Sequence, residues 1–172
     1  MKRNRFVILE IMLPLFLACF LYLLFRPVDT VVFKIADFFF LDNILYSIRS
    51  SFNTTLIPAW IIYSLPGGLW LLTFQNTIAL LNQFSIKQLI FPVLFAYLIG
   101  VGLEFLQYLN ITDGRFDWID VLFYSFATFI SLMTVGLINN KWEFYMEEKA
   151  SMRLSGFFYL FFIGIIYLAD IV

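Results

Sequence analysis

Long apolar runs separated by short polar clusters organise this chain of 172 residues. Apolar residues fill 6–25, much of 56–81, 89–109, 117–138 and 154–171, and none of these runs alternates at the period of two that a membrane β-barrel needs. Each run is about the 20 residues that carry an α-helix across a bilayer. The first follows Lys2, Arg3 and Arg5 and stops at Arg26-Pro27. It is too long for a signal peptide, and the residues around Leu17-Ala18-Cys19 make a poor lipoprotein cleavage site, so it reads as an uncleaved helix.

The second crossing lies within 56–81 and is interrupted by Ser64-Leu65-Pro66-Gly67-Gly68. Ser followed by Pro resembles a helix start, so the crossing begins either at Leu56 or at Pro66, and in the second case 56–63 is a separate interfacial or re-entrant piece. Pro66-Gly67-Gly68 reads either as that start or as a turn lining a cavity. The third crossing starts near Leu89, with Pro92 in its first turn. Asn110-Ile111-Thr112-Asp113-Gly114 is a turn cluster. The fourth crossing is 117–138, and a charged loop, 139–153, leads to the fifth. Residues 28–55 mix Asp29, Lys34, Asp37, Asp42 and Arg49 with Phe38-Phe39-Phe40. That is too charged to span and too apolar to float free, and it predicts an amphipathic segment lying at the interface.

Composition supports the pattern. Apolar residues make up 62% and charged residues 13%, against about 45–50% and a quarter in soluble domains. Mean hydropathy is +0.90. The expected fold is a single all-α membrane domain, a compact bundle of about five transmembrane helices plus the interfacial segment. A net charge of −1 and the lack of a basic stripe give no hint of nucleic acid. There is no His and one Cys, Cys19. That excludes His-dependent triads, disulfides within the chain and Cys/His metal clusters, so no cofactor is expected.

Lys and Arg favour the cytoplasmic side. With the N-terminus inside, Lys2, Arg3, Arg5, Lys87, Lys141, Lys149 and Arg153 lie inside, and Arg26, Lys34, Arg49 and Arg115 lie outside, seven against four. This predicts a cell-membrane protein with the C-terminus and the 110–116 turn outside. Trp60, Trp70, Trp118 and Trp142 suit interfacial anchoring. Gln75, Asn76 and Thr77 suit hydrogen bonds between helices. The acceptor-like sequences Asn53-Thr54-Thr55 and Asn110-Ile111-Thr112 are discounted, because the Phe-, Ile- and Asn-rich composition looks bacterial.

One constellation stands apart. Glu104 and Gln107, three residues apart, share a face of the third helix. Glu104 sits ~7 Å from that helix's end at about 1.5 Å per residue. Asp117, Asp120, Tyr124, Thr128 and Ser131 recur at three- and four-residue spacing along the fourth, and Arg115 stands between with a fork able to grip two carboxylates. Buried carboxylates are expensive in a bilayer and mark function by default. A purely structural account also exists. Asp117 is a good N-cap, Asp120 completes a near capping box, and both suit the positive end of the helix dipole. That account serves Asp117 well, and Glu104 and Gln107 poorly.

Glu-x-x-Gln, a short turn, Gly-Arg and two Asp opening the next helix resemble the VanZ-like family of small bacterial membrane proteins. The match runs from Leu103 to Ala127 and covers Glu104, Gln107, Arg115, Asp117 and Asp120. The family's later Asn and Gly are replaced by Tyr124 and Ala127, and its upstream His is missing. The resemblance implies a compact helical membrane protein and, by the family's namesake, low-level tolerance of glycopeptide antibiotics such as teicoplanin.

Three functions follow. The cluster, with Tyr124, binds a polar or phosphorylated headgroup of a membrane lipid or lipid-linked envelope precursor. Alternatively, its carboxylates hold Mg²⁺ or Ca²⁺, or act as an acid and base pair, in an enzyme. Alternatively, the cluster only locks helices in an accessory subunit.

Overall fold

The computed structural model describes residues 6–28, 31–52, 57–81, 86–112 and 114–138, together with 157, 160, 161 and 164. The described part is all-helical. A π-helical segment, Val7–Met12, runs into α1 (Leu13–Phe25); α2 (Val31–Phe38), α3 (Asp42–Ser50), α4 (Ala59–Tyr63), α5 (Leu65–Leu81), α6 (Ile86–Tyr108) and α7 (Trp118–Ile138) follow. Three helical stretches are long and apolar enough to cross a membrane: Val7–Phe25, Leu89–Tyr108 and Trp118–Leu137. The expected fifth crossing and the 139–153 loop lie outside the described residues, apart from 157, 160, 161 and 164, which are helical.

Prolines set the irregularities. Pro14 cannot donate to the Glu10 carbonyl, its helical partner, and its ring crowds that carbonyl. The turn before it widens, so that Leu13 N donates to Ile8 O five residues back. Pro66 likewise deprives Ile62 O of a donor, and the chain breaks at Ser64 between α4 and α5. The helix therefore begins at Leu65, one residue before Pro66, and the expected second crossing is not among the three stretches long and apolar enough to span. Ser64 does not cap it: its Oγ is buried without a partner. α5 has 17 residues, ~25 Å at 1.5 Å per residue and short of a ~30 Å hydrocarbon core. The third helix starts at Ile86, earlier than expected, and this puts Pro92 in its interior rather than its first turn.

α5 is the central helix. Leu71, Leu72, Thr73, Phe74, Gln75, Asn76, Ile78 and Ala79 are all buried, more than one stripe of its surface. The π-segment with α1, α6 and α7 pack around it. Thr73 Oγ1 donates to Ile11 O at 3.3 Å and Asn76 Nδ2 to Glu10 O at 3.2 Å, so the first helix runs antiparallel to α5. Gln75 Nε2 donates to Val93 O of α6 at 3.1 Å and to Thr128 Oγ1 of α7 at 2.9 Å. Gly67 and Gly68 lie against Tyr124 and Phe123, which makes α5 and α7 parallel. A Cβ on Gly68 would stand 2.9 Å from Phe123 Cβ, so glycine sets how closely these helices approach.

The outer faces are apolar, with Phe16 66%, Phe91 76% and Leu137 81% exposed, whereas Gln75, Asn76 and Ser131 are fully buried. This is the reverse of a water-soluble bundle, where such faces would meet water. Residues 31–50 form two short amphipathic helices rather than one segment. Arg49 ties them to the bundle: its Nη1 donates to Leu23 O at 2.9 Å and its Nη2 to Arg26 O at 2.6 Å. These carbonyls end α1, so α3 supplies a C-cap to another helix. Arg26 Nη2 in turn donates to Tyr63 O at 3.0 Å.

Candidate functional site

The alternating helix directions bring the end of α1, the start of α5, the end of α6 and the start of α7 to one end of the bundle. The turn between α6 and α7 is built by its backbone. Ile111 N donates to Leu106 O and Asn110 N to Gln107 O, both at 2.9 Å, the paired bonds of a Schellman motif. Asn110 takes the left-handed conformation the motif needs, with φ 55°. Gly114 has φ 108°, and a Cβ there would fall 2.5 Å from Gln107 Nε2. Glycine is thus required twice, for its conformation and for the space the Gln107 amide occupies.

Glu104 and Gln107 are 4% and 7% exposed. Asp117 N donates to Glu104 Oε2 at 3.3 Å. Asp117 caps α7, its Oδ1 accepting from Ile119 N at 2.8 Å. In a capping box the acid three residues into the helix reaches back to the N-cap N–H; here Glu104, from the preceding helix, accepts that N–H. The structural account thus extends to Glu104, which spacing along the sequence left poorly explained. Two carboxylates also sit where the helix dipole favours negative charge.

Asp120 is half-buried one turn into α7. Tyr124, a turn deeper and 9% exposed, is wedged between α5 and α6: the Cβ position of Gly67 lies 3.2 Å from its hydroxyl and that of Gly100 lies 3.4 Å from its ring. Glu104 and Asp117 thus meet across the turn, Gln107 lies against Gly114, and Asp120 stands on α7 one turn before Tyr124. Arg115 differs: it is exposed on the turn, outside the buried group. Phe116 and Trp118 meet edge to face beside it, with centroids 4.9 Å apart.

Among the described residues, no three or more His, Cys, Asp and Glu side chains gather to hold a metal ion. Glu104, Asp117 and Asp120 do not form the three-carboxylate cation site that the enzyme reading allowed. Sequence reasoning missed the carbonyls of Glu10 and Ile11 as partners of α5. Pro14, four residues after Glu10, was the signal. Of Gln75, Asn76 and Thr77, expected to bond between helices, Thr77 only bonds back to Thr73 O within its own helix, at 2.8 Å.

No protein-family model, curated protein or solved structure matches this chain.

Proposed function

We propose that this is a multi-pass membrane protein of the bacterial cell envelope whose outer end binds a polar or phosphorylated headgroup, of a membrane lipid or a lipid-linked envelope precursor. The burial of Glu104 with Gln107 at the bundle end carries this reading. Glu104 already accepts the Asp117 N–H, and a carboxyl group within a membrane span marks function by default; a hydroxyl- or amine-bearing headgroup offers the kind of donor that a carboxylate and a carboxamide accept. Arg115, exposed on the adjoining turn, is positioned by sequence to take the anionic part. The VanZ-like resemblance at these same residues adds tolerance of glycopeptides of the teicoplanin type as the expected phenotype. The seven-to-four division of Lys and Arg supports a cytoplasmic N-terminus with this end outside.

A second reading draws on the Asp117 N–H held by Glu104: the cluster only locks α6 to α7. Two substitutions separate the readings. Glu104→Gln keeps shape and an acceptor, and Arg115→Lys keeps charge but loses the planar fork. Binding predicts normal membrane levels and detergent stability with loss of the tolerance phenotype, while Asp37→Asn, on an exposed α2 position, behaves as wild type. Wild-type function in both variants leaves the locking role alone. Orientation is checked by cysteines at positions 110 and 147 in a Cys19→Ser background, of which only the first reacts with an impermeant thiol reagent added outside.

A further inference from the structure

A second polar feature runs deeper than the headgroup site, with which it shares Asp120 and Tyr124. The α7 stripe continues inward from Asp120 through Tyr124 and Thr128 to Ser131, eleven residues, or ~16 Å along the helix at about 1.5 Å per residue. Thr128 meets Gln75, and the next residue of α5, Asn76, reaches the π-segment at the Glu10 carbonyl. Gln75, Asn76 and Ser131 are 0% exposed. Gln75 Oε1, Asn76 Oδ1 and Ser131 Oγ are buried without a hydrogen-bond partner.

Helix locking does not account for those three atoms. The locks use the other end of each amide: Gln75 Nε2 and Asn76 Nδ2 donate to α6, α7 and the π-segment. The oxygens left over are acceptors, and a buried acceptor without a donor costs about 1–3 kcal/mol. Water is the donor small enough to reach such groups, and internal waters bind where polar atoms lack protein partners. The polar file also has a carboxyl group near each end. Glu104 and Asp120 stand at the turn end, and at the other end Asn76 meets the backbone carbonyl of Glu10, whose half-buried side chain carries the second carboxyl. π-helical turns concentrate at functional positions, and intramembrane carboxylates linked by polar side chains mark proton relays.

We propose that internal waters bind the free oxygens of Gln75, Asn76 and Ser131, and that this hydrated file carries protons through the bundle between Asp120 and Glu10. Each transfer passes a proton from one water or carboxyl to the next, so no oxidant or second substrate is needed.

The test uses the full-length protein in liposomes of neutral lipid with a trapped pH dye, driven by a K⁺ gradient and valinomycin. Wild-type vesicles are expected to change internal pH faster than protein-free vesicles. Ser131→Val replaces the free hydroxyl with two methyl groups and dries the file, and its flux is expected to fall to the protein-free rate. Glu10→Gln keeps size and is expected to do the same by removing the relay carboxyl. Should Ser131→Val not fold, Ser131→Ala and Glu10→Gln carry the decision. Wild-type flux no greater than that of empty vesicles overturns the proposal, as does wild-type flux in Glu10→Gln. Sodium uptake by pH-clamped vesicles overturns the assignment to protons. Arg115→Lys, which bears on headgroup recognition alone, is expected to conduct as wild type, so the two proposals fail separately.

Discussion

The two polar regions of this bundle solve the same problem with opposite chemistry. At mid-depth the side chains are neutral: Gln75, Asn76, Thr73, Thr128 and Ser131. At the turn end they are acids: Glu104, Asp117 and Asp120. The proposed place of the bundle in a bilayer accounts for the division, since a charge at the centre of a bilayer costs more than a charge near its edge. The partners differ as well. The mid-depth amides donate to backbone carbonyls, one of which, Glu10 O, lost its own donor to Pro14. The carboxylates at the end accept from backbone N–H groups that the first turn of α7 leaves open. In both regions an irregularity in the backbone is matched by a side chain of complementary polarity from the same or another helix.

The comparison can be broken most severely where helices meet without a polar group. Gly68→Ala forces a Cβ to within 2.9 Å of Phe123 Cβ and 3.3 Å of its carbonyl oxygen. Overpacking of this kind costs ~1–3 kcal/mol, and because backbone is involved the upper part of that range is expected. It should separate α5 from α7 and disturb both polar regions, as read by unfolding in mixed detergent micelles.

Gly114→Ala acts only on the turn end. The left-handed conformation costs a non-glycine residue ~1–2 kcal/mol, and the new methyl displaces the Gln107 amide 2.5 Å away. The expected result is a comparable loss of stability with loss of headgroup-dependent function, while proton flux through the deeper file persists.

Gln75→Leu acts only on mid-depth. It removes bonds to Val93 O and Thr128 Oγ1, each worth ~0.6 kcal/mol and at most ~1.7 by measurements between membrane helices. A loss of about 1–2 kcal/mol is expected, without change in the headgroup binding proposed for the turn end.

Asp117 separates capping from charge. Asp117→Ala should cost ~1 kcal/mol and Asp117→Asn almost nothing, because Asn caps as well as Asp. If Asp117→Asn were as destabilising as Asp117→Ala, the carboxylate charge rather than the cap would be what α7 requires. Thr77→Val is the smallest effect: its hydroxyl bonds only within α5, so stability in micelles should match wild type within ~0.5 kcal/mol.

Much of this was legible in the chain. The apolar runs predict helices at 6–25, 89–109 and 117–138, and the structure has helical segments over 7–25, 86–108 and 118–138. Asp117 as an N-cap, Asn110 in a turn and hydrogen bonding by Gln75 and Asn76 also follow from residue type and position. The start of the central helix was off by one residue because Pro66 breaks the chain at Ser64 without the serine acting as a cap. The extended start of α6 was missed because Pro92 reads as a first-turn residue, while a long helix tolerates it in its interior when neighbours support the chain.

What the sequence by itself determined is the three long apolar helices near 6–25, 89–109 and 117–138, because these depend on runs of residues within one segment and on the cost of leaving them in water. Which helix is central, which carbonyl receives Asn76 and which N–H Glu104 accepts were decided only by tertiary structure. Those pairings join residues 13, 53 or 66 positions apart, and they depend on how closely glycines let helices approach and on which backbone groups the prolines and helix ends leave open. No local pattern carries either quantity.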